Sequence, residues 1–308
     1  MTRREVAFYT GALILFGAGW GLSQPLAKIA VSTGYEPLGL IFWQLVICTL
    51  VLAVMNVLRG RRLPMTRSAL GLYLIIALIG TLIPNSASYK AITHLPSGVV
   101  SILLSLIPMI AFPVALGLRL ERFSLLRFGG LGAGLIGVLL LIVPEASLPD
   151  RAMLAWIPVA LIAPVCYAFE GNYVSKWGTR GLDAIEVLYG ACLVGSVLAL
   201  PLALGSGQFI NPIQPWAAAE WALVANSVLH AFVYTGYVWL VRAAGAVFAI
   251  QVSYLVTGFG VLWALLILHE SYSPYIWAAL VLVLMGVFLV QPRRQDALAP
   301  DSKAVQDH

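Results

Sequence analysis

The sequence contains very little charge. Of its 308 residues, 10% are Asp, Glu, Lys or Arg and 61% are apolar, and the mean hydropathy is +0.93. A soluble domain has about 25% charged and about 45–50% apolar residues. The composition therefore excludes an ordinary soluble domain and predicts an integral membrane protein in a lipid bilayer.

Cysteine and recognisable cofactor motifs are also scarce. Cys48, Cys166 and Cys192 lie far apart inside apolar runs, which suits neither a disulfide framework nor a metal cluster. There is no GxxxxGK[ST] motif, and the short loops leave no room for a nucleotide-hydrolysing domain. We therefore expect no metal, no cofactor and no ATPase subunit.

Ten apolar runs have the length of about 17–25 residues that crosses the hydrocarbon core of a bilayer. They are 7–30, 38–58, 69–92, 97–118, 126–143, 153–175, 185–204, 217–241, 246–267 and 275–291. The first run could pass for a signal peptide, but it is too long and nine more follow. The sequence thus predicts an all-α protein with ten transmembrane helices.

The distribution of basic residues predicts the orientation. With ten spans both termini share one side, and fifteen of the 18 Lys and Arg residues fall on that side. Only Lys28, Lys90 and Arg151 fall on the other. Basic loops stay in the cytoplasm, so we expect cytoplasmic termini in a plasma membrane of the bacterial inner-membrane type. The net charge of +5 then reflects topology and not nucleic-acid binding.

The two halves of the chain resemble each other. When LERFSLLRFGGLGAGLIGVLLL (120–141) is shifted by 149 residues onto HESYSPYIWAALVLVLMGVFLV (269–290), seven of 22 positions are identical, including Glu121 with Glu270. At a shift of 148, Lys28 falls on Lys176. Each half has five spans, an odd number, so the second half starts from the opposite side. This predicts an inverted repeat, the arrangement with which many secondary transporters alternate access.

The predicted organisation follows from this repeat. Residues 1–143 form the first repeat, 144–152 an external linker, 153–291 the second repeat and 292–308 a disordered cytoplasmic tail.

Three glycines in the first repeat have the GxGxxG spacing of a dinucleotide-binding turn. Gly132, Gly134 and Gly137 lie inside an apolar span, whereas such a turn needs a preceding strand in a soluble βαβ unit. Gly130 with Gly134, and Gly17 with Gly21, also form GxxxG. We therefore expect these glycines to allow close helix packing.

These features resemble the drug/metabolite transporter superfamily. The likeness rests on ten spans in two EamA-type halves, on the segment from Leu95 through Pro108 to LRLERFSLLRFGGLGAGLIGVLLL, and on the looser second copy. Within the superfamily the chain is most similar to YddG-like exporters of aromatic amino acids. The resemblance implies export of amino acids or similar metabolites from the cytoplasm through a central cavity between the halves.

The charges missing from the spans restrict the cargo. Span one has no acid between Ala7 and Ala27, unlike the small multidrug-resistance pattern. No Arg or Lys lies near mid-depth, where a phosphate-bearing substrate would need a cationic clamp. The expected small-molecule substrate is neutral or zwitterionic.

Two ionisable residues lie well inside spans, where charge usually marks function. Glu170 could take up a proton or bind an ammonium group, as a possible coupling site, or it could be a hydrated residue paired with Lys176. His230 could bind a carboxylate or carry protons, or it could simply hydrogen-bond to a neighbouring helix.

Aromatic, amide and hydroxyl side chains at middle depths could line a pocket, since several recur at helical spacing. Their rings could stack on an aromatic cargo while the polar groups bind its backbone. The predicted substrate-binding residues are Trp20, Gln24, Asn85, Tyr89, Ser105, Tyr167, His230, Tyr234, Tyr237 and Tyr254. Because proline allows a helix to bend, the candidate hinges are Pro25, Pro84, Pro108 and Pro164.

The sequence thus predicts a secondary transporter that exports small neutral or zwitterionic metabolites, most specifically aromatic or hydrophobic amino acids, by alternating access. The alternative is a proton-coupled multidrug or metabolite exporter. A channel is disfavoured by the repeat, and an enzyme by the lack of any nucleophile, base or ligand-spaced motif. The sequence makes no prediction about the oligomeric state.

Overall fold

The structure, a computed structural model, describes residues 3–291 apart from the side chains of residues 246 and 247. The predicted tail, 292–308, lies outside the described residues. In chain order the helices are α1 (Arg3–Ala30), α2 (Pro37–Leu58), α3 (Arg67–Ile76), a π-turn (Ala77–Leu82), α4 (Ile83–His94), α5 (Ser97–Leu104), α6 (Ile107–Gly117), α7 (Leu125–Ile142), a 3₁₀ turn (Arg151–Trp156), α8 (Ile157–Trp177), α9 (Ala184–Gly205), α10 (Ala218–Ala244), α11 (Ala246–Ala249), α12 (Val252–Leu268) and α13 (Pro274–Val290).

Within the described residues, eight helical stretches are long and apolar enough to cross a membrane. They coincide with the first eight predicted spans. The last two predicted spans fall on α12 and α13, which are apolar but have only 17 residues each. The prediction of an all-α membrane protein is confirmed, and the total of ten crossings stays a prediction.

Local sequence explains where several helices begin. The Thr66 hydroxyl accepts a hydrogen bond from the backbone N–H of Ala69 at 3.2 Å, which caps α3. Asp183 and Glu186 form a reciprocal capping box at the start of α9, with bonds of 2.9 Å. Burial alone would raise the pKa of Asp183, but hydrogen bonds from Arg59 and the backbone lower it. These caps satisfy N–H groups that have no partner within their helix.

Within the described residues, three of the predicted spans contain an interruption of the helix. The first contains the π-turn, just before Pro84, which has no N–H to donate. The second breaks at Ser105 and Leu106, and Pro108 is the second residue of the helix that follows. The third breaks at 250–251, between α11 and α12. By contrast, the two other candidate hinges lie inside uninterrupted helices: Pro25 in α1 and Pro164 in α8.

Hydrogen bonds sort the loops into two groups at opposite ends of the bundle. At the end that we call the arginine-rich face, the loop after α2 pairs with the start of α9 through Arg59 and Asp183, and Lys176 bonds to the Leu118 carbonyl. At the other end, the arginine-poor face, Tyr35 bonds to Glu220, and the Ser273 hydroxyl donates to the Ser147 carbonyl at 2.8 Å. The grouping agrees with helices that run alternately up and down.

Glycines allow several of these helices to approach closely. A Cβ on Gly130 of α7 would lie 2.8 Å from the Gly286 carbonyl oxygen of α13. A Cβ on Gly21 of α1 would lie 2.8 Å from the backbone nitrogen of Gly260 in α12. Such positions tolerate no side chain, so close packing by these two glycines is confirmed. Gly132, in contrast, has nothing within 4 Å of its Cβ position.

These two sites on α7 provide a matched test of packing. We expect Gly130→Val to lower the free energy of unfolding by about 1–3 kcal/mol, the usual cost of overpacking. Gly132→Val adds the same side chain to open space and should have a much smaller effect. Thermal unfolding of the detergent-solubilised protein measures both. Equal losses from the two substitutions would contradict the packing.

Candidate functional site: a central cavity

A cavity of about 460 Å³ lies near the centre of the bundle. This volume is typical of pockets for small organic ligands. All three interruptions border it, since Gly80, Ser105 and Val252 are among its lining residues. Its other walls come from α1, α2, α4, α8, α9 and α10.

Most of the predicted pocket residues lie on this cavity. Eight of the ten predicted substrate-binding residues line it, together with the candidate coupling residue and one candidate hinge. They are Trp20, Gln24, Asn85, Tyr89, Ser105, Tyr167, His230, Tyr234, Glu170 and Pro108. The structure thus brings these side chains together, and their binding of a substrate stays a prediction.

The other predicted residues lie elsewhere. Tyr237 lines a second recess of about 330 Å³, which shares Tyr234 with the cavity and extends past Val241 and Arg242 towards the arginine-rich face. Tyr254 packs against the apolar core, and its buried hydroxyl has no hydrogen-bond partner among the described residues. The remaining candidate hinges, Pro25, Pro84 and Pro164, do not line the cavity.

Several polar lining residues were not among the predicted ones. They include Gln44, which lies in the strongly apolar helix α2, and Asn226, which precedes His230 by four residues on α10. A lone amide in an apolar span, and the spacing 226, 230, 234 on one helical face, are signals that could have identified them.

The aromatic residues form one wall of the cavity. The rings of Trp20 and Tyr234 lie 6.5 Å apart, edge to face. Those of His230 and Tyr234 lie 6.4 Å apart, with their planes inclined by 29°. His230 makes no hydrogen bond to another described residue, so the alternative role as a hydrogen-bond partner of a neighbouring helix is not found. The wall offers ring faces and edges on which an aromatic ligand can pack.

Two of the amide groups in the lining accept hydrogen bonds from tyrosines. The Tyr89 hydroxyl donates to the Gln44 side-chain oxygen at 2.9 Å, and the Tyr167 hydroxyl donates to that of Asn85 at 3.0 Å. These bonds orient each amide, and its NH₂ group stays available as a donor.

One carboxylate faces this lining. Glu170 lies against Gly80 in the π-turn, where a Cβ would come within 2.7 Å of the carboxyl carbon. Lys176 bonds instead to the Leu118 carbonyl at 3.2 Å, so the expected alternative of a Glu170–Lys176 pair is not found. Among the described lining residues Glu170 is the only acid, and none is Lys or Arg.

Comparison with known proteins identifies the family. Residues 8–143 and 154–291 each match the model of the EamA-like transporter family. The chain belongs to the EamA-like transporter family. It therefore carries two EamA repeats and is a membrane transporter of the drug/metabolite transporter superfamily, as its resemblance implied. EamA proteins are transporters, which fits the expectation that the chain is not an enzyme.

The other comparisons add the fold alone. A crystal structure of another protein aligns with a TM-score of 0.60 and 18% identity, covering 94% of this chain and 96% of that one. No curated protein matches the chain. A YddG-like specificity for aromatic amino acids is thus not established by any relative and stays a proposal.

Proposed function

We propose that this EamA protein exports small neutral or zwitterionic metabolites, with aromatic or hydrophobic amino acids as the preferred cargo. The observation that carries the proposal is the cavity lining, whose described residues include an aromatic wall, oriented amides and one carboxylate, but no Lys or Arg. A zwitterionic amino acid matches this set. Its ammonium group pairs with Glu170, its carboxylate accepts from the amides, and its ring packs on Trp20 and Tyr234.

We further propose that the ten helical stretches form two inverted repeats that alternate access to this cavity. The contacts between α7 and α13 support the inversion. Gly130 packs on Gly286, and the Cβ position of Gly137 lies 3.2 Å from the Ala279 carbonyl. At the repeat shift of 149 residues these two contacts exchange with each other, as expected for a twofold axis between the helices.

The orientation of the proposed exporter follows from charge. The arginine-rich face carries the loops that the positive-inside rule retains in the cytoplasm, so both ends of the chain face the cytoplasm of an inner, or plasma, membrane. The cargo then reaches the cavity from the cytoplasm. We expect transport to need neither a nucleotide nor an ATPase subunit.

Uptake into proteoliposomes tests the proposed cargo. We expect radiolabelled tryptophan and phenylalanine to enter saturably, to compete with each other and to show counterflow, with threonine transported less well. A facilitative carrier is indifferent to an imposed proton gradient. Uptake no greater than in empty liposomes would contradict the substrate class, and uptake without counterflow would indicate a channel.

The aromatic wall should set the preference for aromatic cargo. We expect Trp20→Leu to raise the KM for tryptophan about threefold to tenfold, because an aromatic pair contributes about 0.5–1.5 kcal/mol beyond buried area, and to leave the KM for threonine nearly unchanged. Trp239→Leu, on the exposed surface of α10, is the control. Equal effects on both substrates would show that this wall does not select the ring.

A proton-coupled exporter is the second candidate, and the isolated carboxylate of Glu170 favours it. If Glu170 binds the ammonium group, Glu170→Gln should raise the KM about tenfold or more, since a hydrogen bond to a charged group contributes about 1.5–3 kcal/mol. If it instead carries the coupling proton, the variant should lose its response to a proton gradient and keep counterflow. Glu36→Gln, an exposed acid paired with Lys90, should change neither property.

A further inference from the structure

The short turn between α4 and α5, on the arginine-poor face, is held from both sides by charged residues. On one side, Lys28 in the last turn of α1 donates to the carbonyls of Ile92, Thr93 and Leu95, at 2.6, 3.3 and 3.0 Å. These carbonyls belong to the C-terminal end of α4, where acceptors lack helical partners and a cation is favoured.

On the other side, Glu270 holds the start of α5. Its carboxylate accepts from the backbone N–H groups of Ser97 and Gly98, at 2.7 and 3.2 Å. The Tyr272 hydroxyl donates to the same carboxylate at 2.6 Å and occupies the space where a Cβ on Gly98 would lie. We call Lys28, Glu270 and Tyr272 the first clamp. It ties α1 and the loop before α13 to the α4–α5 turn.

The repeat places an equivalent set of residues on the arginine-rich face. Glu121 aligns with Glu270, Lys176 aligns with Lys28, and the turn between α10 and α11 aligns with the α4–α5 turn. In this second clamp, Lys176 would reach the carbonyls at the end of α10, from Leu240 to Ala243. Glu121 would reach the backbone N–H groups at 246–247.

In the structure the hydrogen bonds of the first clamp are formed, and Lys176 and Glu121 of the second clamp have other partners. Lys176 donates to Leu118 at 3.2 Å, and Glu121 pairs with Arg127 at 2.8 Å. Helix α1 packs against α4 and α5, whereas α8 makes at most isolated contacts with α10 and α12 in the described part of the chain. The second recess, lined by Val241 and Arg242, lies at the end of α10 where the second clamp would close.

We propose that these two clamps are the alternating gates of transport, so that Lys28 with Glu270 closes the arginine-poor face and Lys176 with Glu121 closes the arginine-rich face in the other state. This rests on the alternating access of the proposed function. Each clamp joins a helix of one repeat to the turn of a helix pair. When the α4–α5 turn is released and the α10–α11 turn is bound instead, the arginine-poor face opens and the arginine-rich face closes.

The two clamps are chemically unequal, which explains why the first one is formed in this structure. Tyr272 aligns with Phe123, which has no hydroxyl, and the Arg127 that holds Glu121 aligns with Ile276. Burial and the neighbouring Glu270 carboxylate raise the pKa of Tyr272 well above its ordinary value, so its hydroxyl stays protonated and donates. The first clamp thus has one additional hydrogen-bond donor, the Tyr272 hydroxyl. In the second clamp, Arg127 competes for the Glu121 carboxylate.

Distances between spin labels test the gates without any substrate. Cys48, Cys166 and Cys192 are replaced by Ser, and labels are placed at Ser175→Cys on α8 and Trp239→Cys on α10. We expect one long distance with the first clamp intact. Lys28→Met combined with Glu270→Gln should add a shorter distance and raise its share roughly tenfold or more, because several hydrogen bonds to charged groups are lost.

Matched variants make the result specific. Lys90→Met removes the Lys90–Glu36 pair of 3.1 Å on the same face and should leave the distances unchanged. Tyr272→Phe removes a single hydroxyl and should shift the distances in the same direction but less. Adding Lys176→Met and Glu121→Gln to the double variant should remove the shorter distance.

The proposal is overturned if the folded double variant and Tyr272→Phe both keep the original distances, or if Lys90→Met shifts them equally. Because no cargo is present, this outcome is separate from the uptake assay. Amino acids could be transported with immobile clamps, or the clamps could exchange in a carrier of other metabolites.

Discussion

A chain buried in hydrocarbon must satisfy nearly all of its backbone hydrogen bonds within its own helices. Interrupted helices are tolerated only where protein or a hydrated cavity surrounds them. Here the π-turn, the break before Pro108 and the break between α11 and α12 all lie on the central cavity. The places where this requirement is relaxed therefore mark the site, in agreement with the broken helices that form substrate sites in other transporters.

The π-turn shows how a backbone irregularity and a functional side chain depend on each other. In a π-turn the backbone hydrogen bonds span one residue more than in an α-helix. Such turns are frequent at functional sites. Gly80 in this turn leaves the space that the Glu170 carboxylate occupies. The cavity thus gains one acid without a fixed partner among the described residues, and no basic side chain that would attract a phosphate.

The sequence predicted much of this arrangement because apolar length and helical spacing are local properties. Trp20 and Gln24 are four residues apart in the sequence, as are Asn85 and Tyr89, and both pairs line the cavity. Tyr254 is not among the lining residues for a physical reason. The break at 250–251 lies just before Tyr254 and changes the direction in which the following side chains point. Residue spacing alone cannot show where a helix is interrupted when no proline marks the position. Tyr237 shares a helix with Tyr234 but lies past the cavity, since a spacing does not give the depth at which a cavity ends.

We propose that the cavity recognises a zwitterion that carries an aromatic side chain. Ligand-induced thermal stabilisation of the purified protein tests it most directly, with tryptophan, tryptamine, indole-3-propionate and a sugar phosphate at equal concentrations. Binding to the native state alone raises the melting temperature, and at equal concentrations the ligand of higher affinity raises it more. The account predicts the largest increase with tryptophan, smaller increases with the two analogues that each lack one charge, and none with the sugar phosphate. Stabilisation by the sugar phosphate, with none by tryptophan, would contradict it.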